Sequence, residues 1–207
     1  MGNKADIEYS RELDLEEKFN LFWNKALKTN GEDYLSRLTN NDLVEMKKAI
    51  SNINNLITLR VTLAFIDKLC RRGIINSKQA DNIKKDVQRA HPNTNGFDVR
   101  YPNPNRKDEY DGLNLIAEVK CNIPVGETSF GAAQKNALKK DLQGLRWDKA
   151  QKAGIDPKDY YKFMVIQDVP NAREAMEEFI VGDCVKLDEK KIDEIDKKHI
   201  YIVYVKV

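Results

Sequence analysis

The sequence predicts an α/β (α+β) fold: a mixed central β-sheet flanked by helices, preceded by an N-terminal helical region. Three observations carry this. Through residue 90 the apolar residues recur at helical spacing. His91-Pro-Asn-Thr-Asn-Gly96 then breaks the pattern. Beyond it, short apolar runs of strand character alternate with helical segments. The expected division is a helical region over 1–92 and a sheet-bearing core over 93–207.

Each element has its own signal. Phe19, Phe22, Trp23 and Ala26 fall on one stripe and predict a helix over 13–27, ended by Asn30 and Gly31. Thr39-Asn-Asn-Asp42 offers a cap for a second helix, reaching about Ile53, and Asn54-Asn55 predicts an interruption. A third helix, Leu56 to Arg72, is apolar on more than one side and stops at Gly73. A tight connection leads to a helix over 78–90; the pair reads as an αα-hairpin, with a helix-turn-helix as the sharper alternative. Phe97, Val99 and Tyr101 alternate with Asp98 and Arg100 as on a strand. Leu115–Cys121 is a second strand, with a tight turn around Asn114-Leu115 making room for a further short one. A helix over 130–153, a strand over 160–166, a short helix over 171–180 and a final strand over 200–205 complete the chain.

Composition narrows the function classes. With 41% apolar residues among 207, the chain can build a core. No apolar run reads as a membrane span and no apolar stretch follows the first charges, so neither a span nor a signal peptide is expected. Cys70, Cys121 and Cys184 show no metal-binding spacing, which suggests free thiols in a cytoplasmic setting. Two histidines are too few for chemistry that needs several imidazoles. Net charge is only +2, so bulk charge says nothing of nucleic acid. Locally, however, residues 135–152 carry six cations, Lys135 and Lys139 among them, against two anions. Such a helix face could meet a phosphate backbone, or could simply be solvated.

The stretch that draws attention is Leu115-Ile-Ala-Glu-Val-Lys-Cys121. Side chains alternate across a strand, so Ala117, Val119 and Cys121 share one face while Glu118 and Lys120 share the other. Other Glu-x-Lys triplets in the chain lie in helical or charge-rich segments, where solvated side chains explain them. On an apolar strand the pair needs a different reason. Two carboxylates from neighbouring strands can bind one Mg²⁺, which keeps several waters and takes a substrate phosphate oxygen. An adjacent lysine can orient the attacking water or hold charge developing on phosphorus. Asp111 is the first choice for the second carboxylate, in a register that needs the turn at Asn114-Leu115. Asp98 is the alternative acid. The carbonyl of Val119 is a third candidate metal ligand.

Asp111, Glu118 and Lys120, on strands followed by a helix, resemble the PD-(D/E)xK nuclease superfamily, which includes most type II restriction endonucleases. The seven-residue gap and the continuation Cys121-Asn-Ile-Pro-Val with Glu127-Thr-Ser-Phe130 are most similar to the methyl-directed mismatch-repair nicking endonuclease group. Tyr110 stands where the superfamily often has proline. The resemblance implies a restriction-endonuclease-like core and Mg²⁺-dependent hydrolysis of phosphodiesters in double-stranded DNA. A type II restriction endonuclease is its first implication, with a repair or recombination nuclease second. It also implies a homodimer and places Gln134 and Lys135 where many members carry a polar active-site residue. Two other classes are a non-cleaving nucleic-acid-binding protein and an interaction protein whose Glu118 and Lys120 merely form ion pairs.

Overall fold

The computed structural model describes residues 4–89, 96–104, 111–125 and 128–207, with side chains from Leu13 onward. The chain divides into two compact units, 1–52 and 53–207. The expected boundary at 92/93 therefore moves upstream. The reason is packing: Val61, Phe65, Ile66 and Leu69, with Ala80 and Ile83, belong to the same core as the sheet. Residues 91–95, which carry most of the predicted break, lie outside the described residues.

The first unit holds helix α1 (Lys4–Leu27) and the start of helix α2 (Asn40–Arg71). Asn20 and Asn24 tie the intervening loop to α1. Asn20 Oδ1 accepts from the Tyr34 and Leu35 amides at 2.8 and 3.0 Å, and Asn24 Nδ2 donates to the Glu32 carbonyl at 2.8 Å. The expected Thr39 cap is formed reciprocally. Thr39 Oγ1 accepts from the Asp42 amide at 3.3 Å, and Asp42 Oδ2 accepts from the Thr39 amide at 2.8 Å. Leu15, Leu21 and Phe22 of α1 remain exposed.

α2 runs without a break through Asn54-Asn55, against expectation. Asparagine costs at most about 0.7 kcal/mol in a helix relative to alanine, against about 3 kcal/mol for proline. By length and composition this helix could cross a membrane, which corrects the expectation that no segment would qualify. Its C-terminal part is instead buried through Val61, Phe65 and Leu69. Gly73, at φ +69°, ends the helix as predicted, with the Ile74 amide donating back to the Leu69 carbonyl at 3.0 Å. Helix α3 (Ser77–Arg89) follows.

The fold is mixed α/β around a five-stranded mixed sheet of order β1-β2-β3-β5-β4. Its strands are β1 (Val99–Tyr101), β2 (Leu115–Lys120), β3 (Tyr161–Gln167), β4 (Cys184–Lys186) and β5 (Ile200–Val205). β1 is antiparallel to β2, and the other pairs are parallel. Alternation places Leu115, Ala117 and Val119 in one core with α2 and α3. Ile116, Met164, Ile166 and Ile202 enter a second core on the opposite face, with helix α4 (Ala132–Arg146), the short helix α5 (Asp148–Lys152) and helix α6 (Ala172–Met176).

The helix predicted over 130–153 is two helices, because the backbone turns aside at Trp147 (φ −156°, ψ −61°). β4 was not foreseen: three residues are too few to show alternation. Of the three strands expected before α4, two occur among the described residues.

Candidate active site

Glu118 and Lys120 project from the same face of β2, toward α4 and α5. Glu118 is only 3% exposed, in the middle of a strand paired on both sides. Lys149, from α5, places its Nζ 2.6 Å from Glu118 Oε1 and 3.1 Å from Asp141 Oδ1. Lys120 Nζ lies 2.7 Å from the other oxygen of Asp141. Two lysines and two acids thus form one continuous array, with Asp141 as its centre.

A gap in α4 admits Lys149. Gly144 lies buried in the last turn of α4, where glycine costs up to about 1 kcal/mol relative to alanine. A Cβ there would stand 3.0 Å from Cγ and Cδ of Lys149. The bare glycine therefore leaves the channel through which the lysine stem reaches Glu118.

The second acid is set by the register of β1. Val99 pairs with Ala117, so the next residue outward, Asp98, stands opposite Glu118 beyond the end of the ladder. Asp98 Oδ2 accepts a hydrogen bond of 2.7 Å from the Val119 amide, replacing the backbone partner that β1 no longer supplies. On an extended strand the N–H and C=O of one residue face the same edge, so the Val119 carbonyl also looks toward Asp98.

Asp111 does not occupy this position. It is exposed in the loop before β2, and its Oδ1 accepts from the Leu113 amide at 3.4 Å. The turn at Asn114-Leu115 that would have folded it back on Glu118 is absent, for a plain reason. Leu115 is already in β2, paired with Tyr101 on one side and Tyr161 on the other. The charged groups acting on Glu118 are Asp98, Lys149 and Asp141.

Those surroundings set the electrostatics. Burial, reinforced by the neighbouring Asp98 charge, pushes the Glu118 carboxyl up to about 7, although Lys149 pulls the other way. For Lys149 burial disfavours the charged form, but its bonds to Glu118 and Asp141 outweigh that and raise its pKa above the ordinary lysine value. The result is a carboxylate that would gain from more positive charge than one ammonium supplies.

The remaining expected residues serve other contacts. Gln134 ties the start of α4 to the loop after β2: its Oε1 accepts from the Gly131 amide and its Nε2 donates to the Ile123 carbonyl, both at 3.0 Å. Lys135 pairs with Glu178 at 2.7 Å. Lys139 is exposed on α4. Sequence reasoning missed Asp141 and Lys149. Asp141 had a readable signal, being a charged residue on the stripe of Leu138, Leu142 and Leu145.

Among the described residues no group of three or more His, Cys, Asp or Glu side chains is placed to hold a metal ion. By register and by the bond to the Val119 amide, Asp98 stands beside Glu118 at an edge that also carries the Val119 carbonyl. That oxygen-only set fits Mg²⁺, which takes its other ligands from water and phosphate, and does not fit a softer metal. Comparison of the chain with protein-family models, with curated proteins and with solved structures gave no match.

Proposed function

We propose that the chain is a Mg²⁺-dependent endonuclease that hydrolyses phosphodiester bonds in double-stranded DNA, built on a restriction-endonuclease-like core. The observation that carries the reading is the approach of Asp98 to Glu118 across the β1–β2 edge, with Lys120 on the same face of β2. Asp98, Glu118 and the Val119 carbonyl would hold the ion; bound there, Mg²⁺ polarises the phosphate and lowers the pKa of a bound water.

The protein's own groups do the rest. Asp141 holds Lys120 at 2.7 Å, fixing the ammonium on the face of β2 that carries Glu118. From there it orients a water for attack in line with the leaving oxygen and offsets charge on the phosphate. Lys149 neutralises Glu118 while no divalent cation is bound. The nearly complete burial of Glu118 keeps competing water away from its carboxylate.

Of the roles open to such a nuclease, sequence-specific restriction leads and repair or recombination follows. Two copies acting together suit cleavage of both strands, and the exposed Leu15, Leu21 and Phe22 of α1 support self-association.

One observation favours a second reading. The ion pairs linking Glu118, Lys149, Asp141 and Lys120 are what a purely structural network would show. The two readings differ in one experiment: incubate plasmid and phage DNA with Mg²⁺ or EDTA, using wild type, Asp98→Asn, Asp111→Asn and Lys120→Ala. The nuclease reading expects metal-dependent fragments from wild type and Asp111→Asn. It expects losses of about 10²–10³-fold for Asp98→Asn and Lys120→Ala. Absence of cleavage of every DNA form by wild type, with no divalent-metal binding by calorimetry, returns the cluster to structure alone.

A further inference from the structure

A second charged feature lies at the same end of the sheet. An open cleft of about 490 Å³ is formed where β3 and β5 end and the C-terminal turn of α2 passes over them. Its cations are Lys68, Arg71, Arg72, Arg173 and Lys206, and its anions are Asp168 and Asp188. Cations thus exceed anions by three, in a chain whose whole net charge is +2.

The carboxylates fix only part of this set. Asp188 takes Lys68 at 2.9 Å and Arg72 at 3.1 Å, and Asp168 takes Arg173 at 2.8 Å. Lys68 also donates to the Tyr204 carbonyl at 3.0 Å, and Arg173 lies 4.7 Å above the Tyr204 ring, so the walls are held in place. Arg71 and Lys206 are exposed at the rim, and among the described residues neither has a salt-bridge partner. Preorganised walls carrying unspent positive charge suit a dianionic or monoanionic phosphate.

Position identifies which phosphate. Lys120 pairs in register with Ile166, and Ile166 with Tyr204, across strands that run parallel. The Tyr204 wall is therefore on the same sheet face as Lys120 and two strands from it, while Lys68, Arg71 and Arg72 reach the cleft past the strand ends from α2 on the opposite face. Two strands span about 10 Å at ordinary strand spacing. That is the scale of one or two nucleotides along a backbone. Both features also lie at the carboxyl ends of the parallel strands, the usual ligand edge of an open sheet.

We propose that this cleft binds a backbone phosphate of the nucleic-acid strand that passes the Glu118 centre, one or two nucleotides from the bond attacked there. The inference rests on the nuclease reading for its register, but its test is separable. The probe is a fluorescently labelled DNA duplex, with binding read by anisotropy in Ca²⁺ across a salt series. The variant is Arg71→Gln with Lys206→Gln; both positions are exposed, and circular dichroism checks that the fold survives.

The expected result is a loss of roughly tenfold in affinity at low salt and a shallower salt dependence, by about two units of slope. An unchanged affinity and slope overturns the proposal, even if wild type cuts DNA. The expected loss, with no cleavage by either protein, supports the phosphate site while overturning the nuclease reading. Thermal stabilisation of wild type by inorganic phosphate, without binding of the duplex, overturns it in favour of a pocket for a free anion.

Discussion

β2 and β5 are neighbours of β3 on its two sides, each six residues long and parallel to it. β5 reads Ile-Tyr-Ile-Val-Tyr-Val and is apolar throughout its buried length. β2 reads Leu-Ile-Ala-Glu-Val-Lys and is buried to the same degree through Val119. In the register row through Met164, Ile202 lies on one side and Glu118 on the other. The sheet does not require a charge in that row, since β5 meets the same demand with isoleucine. Glu118 persists in a place where burial raises the cost of its ionised form. Such a cost at one strand and not at its counterpart is what the proposed site would account for.

The comparison breaks most visibly if the two positions are exchanged. Ile202 is 1% exposed, and the lysine beside it in register, Lys186 of β4, is already paired with Glu177 and Glu189. Ile202→Glu is expected to cost about 4 kcal/mol, from lost packing and an uncompensated buried carboxylate. Chemical denaturation of the variant measures it. A cost below about 1 kcal/mol would mean that the row tolerates charge generally, and that Glu118 carries no special information.

Glu118→Gln is the matching change at β2, and here the sign reverses with pH. The folded-state carboxyl titrates at about 7, above its ordinary value of 4.5. The folded protein therefore binds this proton more tightly than the unfolded chain. The stability from that proton is fully present below the ordinary value and is lost as pH rises through 7. Glutamine mimics the protonated form. The variant should match wild type in acid and exceed it above neutrality, by on the order of 3 kcal/mol. Denaturant melts near the ordinary carboxylate value and at about pH 8 test this. A gap that does not widen with pH removes the claim that the ionised group is held at a cost.

How much of this was readable in the sequence depends on distance along the chain. The two faces of β2 follow from alternation alone, so Glu118 and Lys120 emerge together on the face opposite Ala117 and Val119. The order of the longer elements and the Gly73 stop are equally local. The partner acid is not local. Counting residues favoured Asp111, but the turn it needed would have broken pairs that Leu115 makes on both edges, and continuous pairing prevails. Asp98 reaches the site only because β1 begins one residue after it, leaving it opposite Glu118 just beyond the ladder, which is a fact of register. Lys149 was hidden further still. In the sequence it is one cation among many on a basic segment; only the change of direction at Trp147 turns it inward.

The smallest effect probes how Lys149 is admitted. Gly144→Ala should gain up to about 1 kcal/mol of helix propensity. It should also press a methyl against the Lys149 stem at 3.0 Å, inside ordinary contact distance, and so weaken the bond to Glu118. The two contributions oppose, and the single variant should lie near neutral. With Lys149→Ala as background the crowding disappears, and the same substitution should stabilise by up to about 1 kcal/mol. A double-mutant cycle read by thermal melts isolates the coupling. A coupling indistinguishable from zero would mean that Lys149 does not thread past Gly144. The ammonium would then not be the group that compensates the buried carboxylate of β2, and the contrast with β5 would need another counter-charge. A coupling near 1 kcal/mol would tie the missing Cβ in α4 to the charge on β2, across 31 residues between Glu118 and Lys149.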